Sequence, residues 1–507
     1  MRHHGEGYVD GIDYEHYLHR ELSPAQIAFS LLLKGYRPPV VGPDGFHYAE
    51  LGAGYADTSS LLAAVYPHAR FDAVDINASH IAAAHRFAKE ACPGNLRLLE
   101  ESFGEFAKRS DVAYDIIALH GVWSWVSAET RAILLDIVSR TLKPGGVLFL
   151  SYNALPGKAA QMDIRKILLE HSLVGTGEWP DRVGKALSFV ERVLQQTARD
   201  RPETAGLLAE FERLKKRSAN YIAHEYLNRD WTAFYAGDVA RELTKAKLSY
   251  AASGLMSDEL GIMALPAESS ALTEEADPVY RETLRDILMN RGFRRDLFVK
   301  GAERLSARER SEWLGAMRFA LLAPPGDMPQ AIVLSGGRLQ LQKALAEPLI
   351  AALDEGPRRL DELAAMPSLA AYGWQAILQG LTLMIGTSHV APALDEAEEA
   401  ACLDSVARFN AVVLEHNRMG GELRSLASPV LGNGVAVTKL DALFLLARSR
   451  GVDPVAFASD ELSALGQTIG DGSGKPLSAD RSIALLREHE QSFSTTRLPM
   501  LRKYRIA

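Results

Sequence analysis

The chain has 507 residues, with 64 acidic against 56 basic side chains, a net charge of -8 and 47% hydrophobic content. That balance belongs to a globular protein with buried cores and excludes a disordered chain, while the length predicts about three or four domains at roughly 100 to 200 residues each. Cys92 and Cys402 are too distant in sequence to suggest a disulfide framework or a zinc site, and no apolar run approaches the ~20 residues of a membrane span, so the sequence predicts a cytoplasmic protein with no membrane insertion and no metal.

In chain order, residues 1–40 read as an N-terminal arm rich in aromatic residues, with Tyr14 and Tyr17, followed by a helix that begins after Ser23-Pro24. "FHYAEL" is a short buried strand, "DTSSLLAAVYP" a helix capped by Asp57 or Thr58, and "RFDAVDI" a second strand. Gly52 permits a tight turn between the first two, and Gly54 lets backbone approach a ligand at the helix N-terminus. Asp75 ends the second strand, where a carboxylate grips ribose hydroxyls. A dinucleotide fits poorly, because the third glycine of G-x-G-x-x-G is replaced by Asp57, whose charge would face a pyrophosphate. S-adenosylmethionine carries no phosphate and meets no such repulsion.

A third strand ends near Glu101, Ser102 and Phe103, a fourth at His120, and a fifth, after the turn Lys143-Pro144-Gly145-Gly146, at Tyr152 and Asn153. Alternating strands and helices imply a parallel sheet with its ligand outside the carboxyl ends of the strands. "GKALSFVERVLQQTARD" and "TAGLLAEFERLKKRSANYIAHEYL" read as long amphipathic helices of a lid, and "GDVARELTKAK", "LSYAASG" and "RDLFVKG" as a helix and the last two strands.

Glu50-Leu-Gly-Ala-Gly54, Asp75-Ile-Asn77 and Leu142-Lys-Pro-Gly-Gly146 resemble the motifs of class I S-adenosylmethionine-dependent methyltransferases. "LHGVWSWVS", "SYNALPG" and "YIAHEYLNRDWTAFYAGDVARELTKAKLSYAASG" resemble a narrower bacterial group that carries a methyltransferase regulatory domain and includes lysine methyltransferases of outer-membrane proteins. The resemblance implies an α/β, Rossmann-like core that binds S-adenosylmethionine through Glu50, Gly52, Ala53, Gly54, Asp75, Ile76, Ser102, Phe103 and His120, with Tyr14 and Tyr17 contributed by the arm. The last glycine of the family's G-x-G-x-G is Ala56 here.

Methyl transfer to lysine needs an amine freed of its proton, and His120, His224 and Glu225 are the expected acid–base groups. Trp123, Trp125, Tyr152, Asn153 and Trp231 are the expected substrate residues, the tryptophans as a wall for a cation, with lid packing as their competing role. "HEYLN" lacks the second histidine of a zinc motif, Asn228 standing in its place.

The expected organisation is thus an arm and helix over 1–40, a core over 41–157 and 231–305, a helical lid over 158–230, a winged-helix-like module over 325–400 and a C-terminal α/β region over 401–507. The acidic residues around the expected winged helix, Glu347, Asp354, Glu355, Asp361 and Glu362 against Arg358 and Arg359, argue against nucleic acid and for protein docking or a homodimer. The expected function is protein lysine methylation; the alternatives are methylation of a small-molecule acceptor and a non-catalytic sensor of the methyl donor.

Overall fold

Seven strands run β3-β2-β1-β4-β5-β7-β6 across one sheet in the computed structural model, which describes residues 16–39, 45–109, 112–174, 179–201, 205–327, 331–334, 337–470 and 477–507. They are β1 (His47–Leu51), β2 (Arg70–Asp75), β3 (Leu96–Glu100), β4 (Tyr114–Leu119), β5 (Leu142–Asn153), β6 (Leu248–Ser253) and β7 (Phe293–Lys300). The first five are mutually parallel, and β7 lies antiparallel between β5 and β6. Helices α1 (Pro24–Leu33), α2 (Asp57–Val65), α3 (Ala78–Ala91), α4 (Phe103–Arg109) and α5 (Ala128–Thr141) fill the first half. This is the expected Rossmann-like core, and β6 and β7 complete its sheet.

Three local readings need correction. Helix α2 is capped by neither Asp57 nor Thr58: Ala56 is its N-cap, in the left-handed region at φ 54° with no side-chain cap bond. Lys143–Gly146 is no separate turn but the irregular start of β5, whose register against β4 shifts between Tyr114 and Ile116. The last lid helix is split in two because the Ser218 hydroxyl accepts from Tyr221 N and starts a new helix.

Helices α6 (Gln161–Val174), α7 (Trp179–Asp200), α8 (Ala205–Leu214) and α9 (Ala219–Tyr226) form the insertion between β5 and β6. Their apolar faces make a core of their own, with Leu168, Val190, Phe211 and Ile222 buried together. Helices α10 (Ala236–Leu243), α11 (Met256–Met263), α12 (Ala267–Glu274) and α13 (Pro278–Met289) then lead into and out of β6.

Beyond β7, a strand at Arg318–Leu321 pairs with Arg358–Arg359 on one side and Val390–Ala393 on the other, beside helices Lys343–Glu355, Leu360–Ala365 and Trp374–Gly386. That is the outline of a winged helix. The remaining C-terminal residues pack directly on the core: Phe409, Leu426 and Leu431 share one buried cluster with Leu61, Leu62 and Tyr66 of the α2 region. Among the described residues no helix is long and apolar enough to cross a membrane.

The antiparallel side of the sheet is held by a buried charge network on β5, β7 and α13. Arg294 is fully buried on β7 and donates to Asp296 at 2.8 Å, Asp286 at 2.6 Å and Glu282 at 2.8 Å, while the Tyr152 hydroxyl donates to Asp296 at 2.6 Å. Burial alone would raise Glu282, but the guanidinium groups of Arg294 and Arg285 hold it down to about 2; burial wins at Asp286, raised to about 6 against the pull of Arg294. Arg294→Met would strand these carboxylates in the interior, so it should lower unfolding free energy by about 3–5 kcal/mol in chemical denaturation. Breaking the exposed Arg140–Asp136 pair on α5 should change it by no more than about 0.5 kcal/mol.

Candidate functional site

Every parallel strand points its carboxyl end toward one cavity of about 550 Å³, a size suited to a small ligand or cofactor. The turn after β1 forms one wall. Gly52 has φ 81°, and its amide and that of Ala53 donate to the Val74 carbonyl at 2.8 and 3.0 Å. A Cβ on Gly52 would sit 2.4 Å from Val122 Cγ2, whereas one on Gly54 would meet nothing within 4 Å. The backbone at Gly54 is therefore open to a ligand.

Asp75 closes this turn: one carboxylate oxygen accepts Gly54 N at 2.7 Å and the other Asn77 N at 2.9 Å. Each oxygen keeps acceptor capacity for a hydroxyl. Glu50, Gly52, Ala53, Gly54, Asp75, Ile76, Phe103, His120 and Tyr17 all line the cavity. Tyr14 lies outside the described residues. Ser102 does not line the cavity: its amide and hydroxyl both donate to Glu105 at the start of α4, so it caps a helix and Glu101 takes the place on the wall.

Burial pushes the Glu50 carboxyl up to about 7, assisted by the charges of Asp57 and Asp75 and opposed by the Ser59 hydroxyl, which donates to it. A cation beside Glu50 would favour its ionised form.

Of the expected acid–base and substrate residues, His120, His224, Glu225, Trp125 and Asn153 line the cavity. Trp123, Tyr152 and Trp231 do not. Trp123 is 1% exposed among Leu134, Ile137 and Leu150, Trp231 lies under the Arg165 guanidinium at 5.3 Å, and Tyr152 is committed to Asp296. The Tyr152 correction follows from the strand itself. Successive side chains alternate across a sheet, so Asn153 and Tyr152 cannot face the same side. Asn153 is fully buried, and neither its carboxamide oxygen nor its nitrogen has a protein hydrogen-bond partner.

Several residues of the wall escaped sequence reading. The arm brings His19 to the wall, where it stacks on His120 with ring centroids 3.5 Å apart, and sets Glu21 behind them, its carboxylate 3.5 Å from His120 Nε2 and 2.8 Å from Arg295 Nε. Burial, then the neighbouring His120, lowers His19 to about 3; burial would raise Glu21, but His120, His19 and Arg295 bring it to about 2. His19, Glu21 and His120 have ligand atoms within 4.8 Å of one another, an arrangement that could hold a metal ion, yet the Arg295 guanidinium already neutralises the carboxylate. Phe293 and Arg295 also line the cavity, and their signal was present as the alternation in "FRRDLFVK".

The two glycines of the turn should respond unequally to a methyl group. Gly54→Ala meets only left-handed strain, about 1 kcal/mol, whereas Gly52→Ala adds the collision with Val122 and should lose about 2–4 kcal/mol, measured as the shift in urea midpoint.

A methyltransferase domain model matches residues 49–148, and a model described as a predicted methyltransferase regulatory domain matches residues 218–300. An uncharacterized protein of Synechocystis sp. strain PCC 6803 is 34% identical over 504 residues, 99% of each chain. An uncharacterized protein of Rickettsia prowazekii is 29% identical over 303 residues, 57% of this chain and 52% of that one. Among solved structures, PKMT2 from Rickettsia typhi in complex with AdoHcy superposes with a TM-score of 0.69 at 19% identity, covering 97% of this chain and 99% of that chain. The turn at Gly52 and Gly54 and the carboxylates of Asp75 and Glu50 fit a sulfonium nucleoside. The chain belongs to the class I S-adenosylmethionine-dependent methyltransferases that carry the methyltransferase regulatory domain.

Proposed function

We propose that this methyltransferase acts on lysine side chains of proteins, and the observation that carries the reading is Asn153. A buried carboxamide with no protein partner, at the end of a core strand and in the wall of the cavity, is a preset hydrogen-bonding pair for a ligand. Its oxygen can accept from an incoming amine and so aim the nitrogen lone pair. Burial raises the Glu225 carboxyl, against the pull of Lys158, which suits it to take the proton that a lysine ammonium must lose. Trp125 and the tyrosines at 17 and 221 give the same cavity aromatic faces for a cation.

On the donor side, we assign Gly52, Ala53, Gly54 and Glu50 to the methionine part, Asp75 and Ile76 to the ribose, and Phe103 to the adenine. When bound, the sulfonium donor supplies an electrophilic methyl carbon. Asn153 and Glu225 orient and deprotonate the acceptor, His120 is held in place by Glu21 and His19, and the lid residues Arg217, Tyr221 and His224 limit the entry of water. The fold shared with PKMT2, solved in complex with AdoHcy, agrees with the donor side of this reading. A cavity of this volume also suits a metabolite amine, which is the second reading.

Two measurements test these assignments. Glu50 keeps its proton in the folded protein up to about pH 7, whereas the unfolded chain loses it near about pH 4.3; stability should therefore fall as pH rises through that window. A cationic donor favours the carboxylate, so donor affinity should rise from about pH 6 to about pH 8 with release of a proton, read by calorimetry in two buffers of different ionisation enthalpy, and Glu50→Gln should abolish the release. For the acceptor, radiolabelled donor is incubated with the enzyme and a bacterial extract split into protein and small-molecule fractions. Acid-stable label on protein that vanishes after prior reductive methylation of lysines is the expected outcome; label confined to small molecules would replace the lysine reading with the metabolite one.

A further inference from the structure

The cavity contains an amine of the protein's own. Among the described residues that line it, Lys158 is the only lysine. Its backbone is fixed just past the end of β5, where Lys158 N donates to the Ala154 carbonyl at 3.0 Å and Gly157 N to the Arg291 carbonyl at 3.0 Å. Gly157 is required there, since a Cβ would lie 2.4 Å from the Arg291 backbone. The side chain, 13% exposed, crosses to the lid: Lys158 Nζ donates to Gln161 Oε1 at 2.9 Å and to Glu225 Oε1 at 3.2 Å. Lys158 thus already presents a lysine amine to the carboxylate assigned above to deprotonate the substrate.

We propose that Lys158 is a modification site, methylated by the enzyme itself, with S-adenosylmethionine as methyl donor and the Lys158 amine as acceptor. This rests on the reading that the site methylates lysine amines. The ammonium of Lys158 first passes a proton to Glu225. That single transfer neutralises both partners, so the amine can swing away without leaving an unpaired charge in the interior, and burial of Glu225 favours the transfer. The nitrogen lone pair then forms a bond to the methyl carbon as the carbon–sulfur bond breaks, and that electron pair leaves with sulfur as the neutral thioether. The nitrogen becomes a methylammonium, and the proton held by Glu225 is released to solvent. A methylated lysine keeps its charge, so the pairing with Glu225 can re-form, and the added methyl group narrows the acceptor side of the cavity while leaving the Asp75 wall untouched.

The test uses the full-length protein and donor carrying a deuterated methyl group, with peptide mass spectrometry of every lysine, in the presence and absence of a bacterial protein extract. The expected result is a deuterated methyl group on Lys158, at a rate constant independent of enzyme concentration, and loss of that label in Lys158→Arg. A readout without turnover accompanies it: S-adenosylhomocysteine, which has no methyl to give, should slow modification of Lys158 by a dilute amine-reactive reagent and leave surface lysines unaffected. The shielding measurement decides the matter even where Lys158→Arg fails to fold. Labelled lysines in the extract with Lys158 unmodified would overturn this inference and leave the lysine reading standing. Label on Lys158 with none on extract lysines would support the inference and move the doubt to the protein substrate. Reagent labelling of Lys158 that ignores S-adenosylhomocysteine would place the amine apart from the donor and overturn the inference.

Discussion

The site depends on the two-residue alternation of β5 and β7, locked by the charges around Arg294. Tyr152 pairs with Arg294 and Asn153 with Phe293 across the antiparallel ladder. On one face Arg294, Asp296 and Tyr152 join the buried network; on the other, Asn153, Phe293 and Arg295 reach the cavity. A slip of one residue in β7 would turn Arg294 and Asp296 toward the ligand, and a slip of one residue in β5 would turn Asn153 away from it. A buried ion network adds little to net stability compared with apolar packing, but wrong registers would leave its charges unpaired. The region matched by the regulatory-domain model, residues 218–300, carries much of this network on α13 and β7, so it builds the site as part of the sheet.

A second constraint comes from the far end of the chain. The arm that delivers His19 and Glu21 is held by the C-terminal region as well as by the core. Ser23 Oγ donates to the Gly432 carbonyl at 3.1 Å, Asn433 Nδ2 donates to the Arg20 carbonyl at 2.8 Å, and Gly434 passes so close to Leu18 that a Cβ would lie 2.1 Å from its Cδ2. The hairpin Ser425–Ser428 with Asn433–Ala436 thus acts as a buttress for residues on either side of the Glu21–Arg295 contact. That gives the C-terminal half a role in shaping the cavity that requires no ligand of its own.

What the sequence discloses and what it hides divide along physical lines. Strands β1, β2, β4, β6 and β7 were legible because each is a short apolar or alternating run bounded by turn residues, and Gly52, Gly54 and Asp75 because a strand–turn–helix unit fixes their spacing. Asn153 was legible as the end of β5. Tyr152 and Trp123 are neighbours of wall residues in sequence yet stand away from the cavity: strand alternation turns the first away, and Trp123, in a short helical turn with Trp125, packs into the buried core. Ser102 was misassigned because a side chain at a strand end can cap the next helix as readily as touch a ligand. His19, Glu21, Lys158 and Arg295 lie on four segments whose meeting is tertiary, and no local periodicity announces it.

The turn after β1 also explains in physical terms why the cavity suits a sulfonium nucleoside. A helix N-terminus attracts anions through its free amides and its dipole, which is how dinucleotide sites hold pyrophosphate. Here that position on α2 is filled by the protein: Asp57 occupies the first turn, and His16 of the arm lies 2.9 Å from its carboxylate. Ala56 holds a left-handed conformation, at φ 54°, and its amide donates to the Ala53 carbonyl at 2.8 Å, so the turn is complete without the third glycine. A phosphate arriving there would have to displace His16 and face Asp57. A ligand whose charge is positive at sulfur and amine finds Asp57, Asp75 and Glu50 on the same wall, and the turn that repels one cofactor class thereby attracts the other.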